Sequence, residues 1–354
     1  MGQAFGLAGL SGVEEKFTDS PCARGVLFFV EGETLFETTV LNLTRLEEQV
    51  SSASGTSDAP AWEMDNPFED GRTIPLGPLD YLTWQNRRIL LIPAYSLQGL
   101  EVREATLAPG LRLDSKVLNP MKSFRRDEKR GWLPRRFSED RALWRDSVAL
   151  FRLGIPDQRP PQVFDWLAEL AAEGFLDPGI TRSALALGMA NDQAKVDFIR
   201  AEKIPVPLAY LRNNALVESL AEALQMAEAA SRQLWGAART MATILLSFHA
   251  GTEGARQPLR EDLDSAMGPW SIERRFWSHL ETPFHSLIEE LPRSREIALD
   301  DWRRVLVRHA WEAFDAAAEG VGSSPRALKA VVRGRDQLAA GLANALPVQA
   351  LATG

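Results

Sequence analysis

The chain has 354 residues, enough for two domains, and its 45% hydrophobic and 25% charged side chains fall in the ordinary globular range. A formal charge of −8 and a pI near 5.3 argue against a general coater of nucleic acid, whose affinity comes from many phosphate contacts, but leave room for one local basic surface. The single cysteine, Cys22, excludes an internal disulfide framework or a cysteine zinc cluster and suits a reducing cytoplasm. The opening MGQAFGLAGLSG lacks the features of a signal peptide, and no apolar run approaches the length of a membrane span.

The chain changes character near residue 208. Before it, prolines and glycines are frequent and apolar runs short. VLFFVEG (Val26–Gly32) and RRILLIP (Arg87–Pro93) read as strands, being short, apolar and bounded by turn residues. LFETTVLNL (Leu35–Leu43) fits a helix or a strand, because apolar spacing alone does not settle it. Ser51–Ala61 is small and polar, a loop composition, and Trp166–Leu176 reads as a helix stopped by glycine.

From Leu211 the apolar residues follow the 3, 4, 3, 4 spacing of one buried helix face, through Leu224, Leu234 and Leu245 to Gly251. A second helix is expected over Ser271–Leu291. A third spans Leu299–Glu319, with Asp300 or Asp301 in its first turn, where carboxylates favour the positive helix end. A fourth starts at Ser324–Pro325, serine at the N-cap and proline at the first helical position. The expected class is therefore α+β: an irregular mixed domain over residues 1–207, then a four-helix bundle over 208–354.

Signatures of catalysis are thin. HExxH, P-loop and GxSxG patterns are missing, and His279 and His285, six apart, do not share a helix face. Asp262–Gly268 hints at a calcium loop but lacks the closing glutamate. No catalytic residue, metal or cofactor is expected.

Three segments have the residue types that nucleic-acid contact requires. Gly6 and Gly9 stand in a glycine-dotted opening whose backbone can approach a ligand closely; the plain alternative is a frayed terminus. Lys122–Arg145 is the strongest basic stretch, with Lys122, Arg125, Arg126, Arg135 and Arg136 among its cations and Trp132 and Trp144 interleaved. Such a mixture can neutralise phosphates and stack on sugars or bases, or form a solvated loop with local ion pairs. In GMANDQAKVDFIRAEKIPVPLAY (Gly188–Tyr210), Asn191, Asp192 and Gln193 fall between an expected apolar helix and an expected basic one. Amides there can address base edges, or Asn191 or Asp192 can cap a helix over Gln193–Glu202.

The runs FVEGETLFETTVLNL, PAWE, GPLDYLTWQNRRILLIP, NPMKSF, ALWRDS and GMANDQAK resemble, in order and spacing, the CasA large-subunit family of type I-E Cascade. The resemblance implies a non-catalytic subunit that reads the protospacer-adjacent motif (PAM) of double-stranded target DNA from the minor groove. A glycine loop, a lysine finger and a glutamine wedge do the reading, and the wedge starts strand separation so that guide RNA can pair with target. On this chain the wedge falls on Gln193, beside Asn191 and Asp192, and the glycine loop on Gly6 and Gly9. The finger falls near Arg112, with Lys116 the nearby lysine; arginine there would read acceptors as a planar fork rather than a point donor. The implied partners are the backbone, small and guide 5′-end subunits that hold the CRISPR RNA, and a helicase–nuclease. The resemblance also implies a shortened start, with the family's region ahead of the glycine loop missing and docking altered. A helical scaffold that stabilises a complex without reading DNA is the competing expectation.

Overall fold

The structure is a computed structural model, and it describes residues 25–43, 58–85, 87–139, 141–192, 195–247 and 258–347. The chain divides into two compact units, Met1–Arg212 and Asn213–Gly354.

The first unit is built on a three-stranded antiparallel sheet in the order β1 (Gly25–Glu31), β7 (Thr181–Asp192), β8 (Lys195–Pro207). Val26, Phe28 and Val30 of β1 are fully buried, as are Ala184, Ala186 and Val206 from the two longer strands. Phe28 meets Phe164 edge-on at 5.9 Å, and Phe151 links Phe164 to Tyr210 at 6.3 and 6.0 Å, so one aromatic cluster fills this core. Phe164 comes from α4 (Gln162–Ala172) and Phe151 from α3 (Ser147–Phe151). Helix α4 stops at Gly174, whose φ of +82° a side chain would disfavour.

The ambiguous segment after β1 is helix α1 (Leu35–Leu41), and its caps decide it. The Thr34 hydroxyl caps it by accepting from Glu37 N at 3.1 Å, and the Glu37 carboxylate accepts from the preceding Glu33 N at 2.6 Å. Asn42 then clips the helix to β1, accepting from Val30 N at 2.9 Å and donating to Val30 O at 2.7 Å.

Two further sheets lie in the unit among the described residues. One is the hairpin of β2 (Arg87–Ser96) and β3 (Gly99–Pro109); the other has the order β5 (Gly131–Pro134), β4 (Phe124–Asp127), β6 (Gln158–Arg159). The short helix α2 (Pro78–Leu82) places Asp80 in the interior, where Arg72 donates to it at 2.5 Å and Leu76 N at 2.8 Å. The Arg72 guanidinium lies 4.5 Å over Trp84, whose indole N–H donates to Leu111 O at 2.9 Å. This chain of contacts fastens the connection after β3 to the segment around residues 72–84.

In the second unit, α5 (Asn214–Leu246) is the long axis. Asn213 caps it, its side-chain oxygen accepting from Ala215 N and Leu216 N at 3.1 and 3.2 Å. Packed around it are α6 (Arg260–Met267), α7 (Ile272–His279), α9 (Arg295–Glu319) and α10 (Pro325–Ala345), with α8 (Glu281–Glu290) packed on α9. Trp302 of α9 is buried and donates to Ala223 O at 2.8 Å. Gly334 lets α10 come close: a Cβ there would stand 2.9 Å from the Phe314 ring and 3.2 Å from Ala237 O.

Three expectations need correction. The apolar helix before Gly188 and the basic helix over Gln193–Glu202 are β7 and β8. Pairing along the whole of β7 overrides the helix-compatible residues, and burial alternates as a strand requires: Ile204 and Val206 are buried, Lys203 is exposed and Pro205 half-buried. The single helix expected over Ser271–Leu291 is broken at Leu280 into α7 and α8. Pro283 has no N–H to continue the ladder and is tolerated only because it stands in the first turn of α8. Helix α9 starts at Arg295, so Asp300 and Asp301 lie beyond its first turn and pair with Arg303 and Arg304. The calcium-like segment lies almost wholly in α6, its last residue, Gly268, capping that helix.

Gly188 lies opposite Val26, where a Cβ would meet the Gly25 carbonyl oxygen at 2.8 Å and the Phe137 ring at 3.2 Å. Gly188→Ala is expected to destabilise the first unit by about 1–3 kcal/mol, the usual scale of overpacking, seen as a lower urea midpoint. Asp80→Ala leaves Arg72 as an unpaired charge in the interior and is expected to cost about 3–5 kcal/mol in the same measurement.

Candidate nucleic-acid interface

The β7–β8 hairpin outreaches the strand that anchors it. Strand β1 pairs with β7 from Ser183 to Met189, and beyond that point Ala190–Asp192 pair only with β8 among the described residues. Asp192 pairs with Lys195, so Gln193 and Ala194 are the two positions joining the strands, and they lie outside the described residues. Just before this end the register shifts: Ala190 faces Phe198 and Asn191 faces Val196, which leaves Asp197 as an extra residue on β8. Such bulges raise the local twist and re-aim side chains at the ends of functional hairpins. Asn191 and Asp192 thus stand at the end of a strand rather than at a helix cap.

The root of the hairpin is held by charge. Arg200, opposite Gly188, donates to Ser138 O at 2.9 Å and pairs with Glu202 at 2.5 Å, while Glu202 accepts from Leu143 N at 2.9 Å. On β1, Glu31 accepts from Ser183 at 2.8 Å and Lys203 at 3.0 Å. The Lys203 hydrogen bond, then the Ser183 one, holds this carboxyl below the usual range.

The basic stretch separates into inward and outward groups. Lys122 is 8% exposed and bridges to Leu27 of β1, and Arg135 pairs with Asp146 at 3.0 Å. Trp144 is buried, which removes it from the aromatic residues available to stack on a ligand. Arg125, Arg126 and Arg136 are exposed, as are Lys129 and Arg130 at the β4–β5 turn. Asp127 shapes that turn by accepting from Lys129 N at 3.0 Å and Arg130 N at 2.8 Å, and these bonds, the Arg130 one first, lower its pKa. Sequence reasoning missed Arg159. Strand β6 brings its guanidinium 4.6 Å over Trp132, and a two-residue strand gives no sequence signal.

Arg112 and Lys116 are both exposed on the connection from β3 to β4. Asp114 organises it, accepting from Lys116 N at 2.8 Å through its side chain and donating its own N–H to Thr73 O at 2.8 Å. Gly6 and Gly9 lie outside the described residues.

A family model described as CRISPR-associated protein Cse1 matches residues 1–313. The chain is 33% identical over 328 residues to a CRISPR-associated protein CasA/Cse1 from Thermus thermophilus, covering 90% of this chain and 62% of that relative. A crystal structure of Thermus thermophilus CasA superposes with a TM-score of 0.70 at 29% identity, over 93% of this chain and 66% of the other. A chain of a CRISPR RNA-guided surveillance complex shares the fold at a TM-score of 0.60 and 22% identity, over 91% and 61%. The chain thus spans just under two-thirds of the length of these relatives, and it belongs to the CRISPR-associated Cse1 family.

Proposed function

We propose that this chain is the PAM-sensing large subunit of an RNA-guided surveillance complex, and that the end of the β7–β8 hairpin is its wedge. The observation that carries the reading is the register: Asp192 pairs with Lys195, so Gln193 stands where two bonded strands join. In this reading the hairpin opens the duplex beside the PAM, Arg112 or Lys116 and the backbone at Gly6 and Gly9 read the PAM, and the complex recruits a helicase–nuclease. The partners are double-stranded target DNA and the subunits that hold the guide; the chain itself does no chemistry. The helical scaffold reading has no feature of its own in its favour, since the second unit serves either role.

A hairpin suits a wedge better than a helix start does. Its two strands are bonded to each other up to the last pair, so force at the end is passed to the sheet rather than to a single turn. Opening one base step costs on the order of 1–2 kcal/mol in stacking, and a planar amide contacting the exposed pairs offsets part of it. Gln193→Ala is expected to leave first PAM engagement intact but slow R-loop formation on linear DNA. The defect should shrink on negatively supercoiled or pre-opened targets, which lower the same barrier. Equal impairment on all three substrates, or on none, sinks the wedge.

For phosphate contact the reading favours Arg125, Arg126 and Arg136, which are exposed, over Lys122 and Arg135, which are held inward. Neutralising Arg125 and Arg126 together should weaken binding of the assembled complex to PAM-bearing and PAM-less duplex alike. It should also flatten the log–log salt dependence by roughly one unit for each phosphate interaction removed. Impaired PAM discrimination with an unchanged salt slope would contradict the assignment.

A further inference from the structure

Strand β8 has a bonded strand on one edge only among the described residues, and the support that β1 gives through β7 ends at Met189. Asp192 stands four residues beyond Gly188 on β7, about 13 Å at the rise of an antiparallel strand. A tilt of about 5° at Gly188 therefore moves that end by about 1 Å, close to a third of the ~3.4 Å spacing of stacked bases. What fixes the tilt must act at or just before the last supported rung, and Arg200, opposite Gly188, stands there.

Arg200 and Glu202, two residues apart, share one face of β8. On that face they reach out of the sheet at two points, Arg200 to Ser138 O and Glu202 to Leu143 N. The Phe137 ring spans the rung: it lies 5.5 Å from the Arg200 guanidinium and fills the space left by the missing Gly188 side chain. Ser138 is itself held, through its bridge to Arg141 and the pairing of Arg141 with Asp146, which also takes Arg135. On the opposite face of β8, Ile199 and Ala201 are exposed, so the grip is one-sided. Glu202 matches the Arg200 charge, and Ser138 O takes one of its N–H groups. This guanidinium is thus spent on holding the hairpin, unlike the outward Arg125 and Arg126.

We propose that Arg200 is a positioning residue for the wedge: it sets the tilt of the hairpin end by holding β8 to Ser138, and it acts on DNA only through Gln193. The proposal rests on the reading that this hairpin end opens the duplex. The test measures R-loop rates of the assembled complex on linear, negatively supercoiled and pre-opened targets. Arg200→Gln, Arg200→Lys, Gln193→Ala and the double variant Arg200→Gln/Gln193→Ala are compared. Arg200→Gln should slow R-loop formation on linear DNA by up to roughly tenfold, the rate equivalent of the stacking in one base step. The defect should shrink on the other two targets. Arg200→Lys keeps a charged donor for Ser138 O and should recover most of the rate. The double variant should be no slower than Gln193→Ala, because a wedge without its amide has nothing left to position. The salt dependence of duplex binding should stay at the wild-type slope. Glu202→Gln, which still accepts from Leu143 N but frees Arg200, should show a smaller defect of the same kind, and it stands in if Arg200→Gln does not fold.

Defects that multiply in the double variant, or a flatter salt slope, would make Arg200 a direct DNA contact and overturn the proposal. Equal loss on all three targets, tracking a lower melting point of the isolated chain, would reduce it to a residue of the fold. Wild-type rates for Arg200→Gln beside a substrate-dependent defect in Gln193→Ala would remove the positioning role and leave the wedge standing. Wild-type rates for Gln193→Ala would instead bring down the wedge reading and this proposal with it.

Discussion

Strand β1 is hydrogen-bonded along both edges. On one side it pairs with β7 from Gly25–Met189 to Glu31–Ser183; on the other, Val26 N donates to Arg135 O at 3.0 Å and Phe28 N to Met121 O at 2.9 Å. Its Val26, Phe28 and Val30 side chains are buried in the core they share with α4. The two hairpins that the proposed reading sets against DNA therefore hang from one seven-residue strand: β7–β8 directly, and the basic β4–β5 hairpin through the backbone at 121 and 135. Gly188 is the closest point of that junction. Its missing side chain lets β1, β7 and the Phe137 ring come together, and Phe137 in turn lies 5.5 Å beneath the Arg200 guanidinium that ties β8 to Ser138.

Net charge is a poor guide to where such a protein is basic. The carboxylates near the sheet are occupied: Asp146 takes Arg135 and Arg141, Glu202 takes Arg200, and Glu37 takes Arg182. These pairs organise the interior edges of the unit and cancel there. Arg125, Arg126 and Arg136 escape this pairing among the described residues, so the outward surface of β4–β5 is cationic in a chain of overall charge −8. Local fields, not the sum, govern attraction of a polyanion.

The helices of the second unit were legible because one side of each is buried every 3.6 residues; Leu220, Leu224 and Leu234 of α5 follow that rule. What the pattern hid was interruption, since the apolar spacing runs through Leu280 although Pro283 ends the hydrogen-bond ladder. The hairpin was illegible for a sharper reason. Lys195–Glu202 contains residues with good helix propensity, and the bulge at Asp197 spoils the alternation that would have marked a strand. Lys122 and Arg135 read as surface cations because sequence shows charge and not burial. Trp132 was visible as an aromatic among cations, but its partner Arg159 lies on a different strand, and only the fold brings them together.

Among the described residues the first unit has three hairpins, and they differ in how each is supported. The β7–β8 hairpin is backed by β1 as far as Met189, and in the proposed reading it meets the duplex with its two strands bonded to each other. The β4–β5 hairpin is backed by β6 and shows cations, to which the same reading assigns phosphate contact through a field that tolerates small displacements. The β2–β3 hairpin has no third strand among the described residues. In the proposed reading the β7–β8 and β4–β5 hairpins divide insertion and electrostatic attraction between them, according to what lies beneath each pair of strands and which side chains line it.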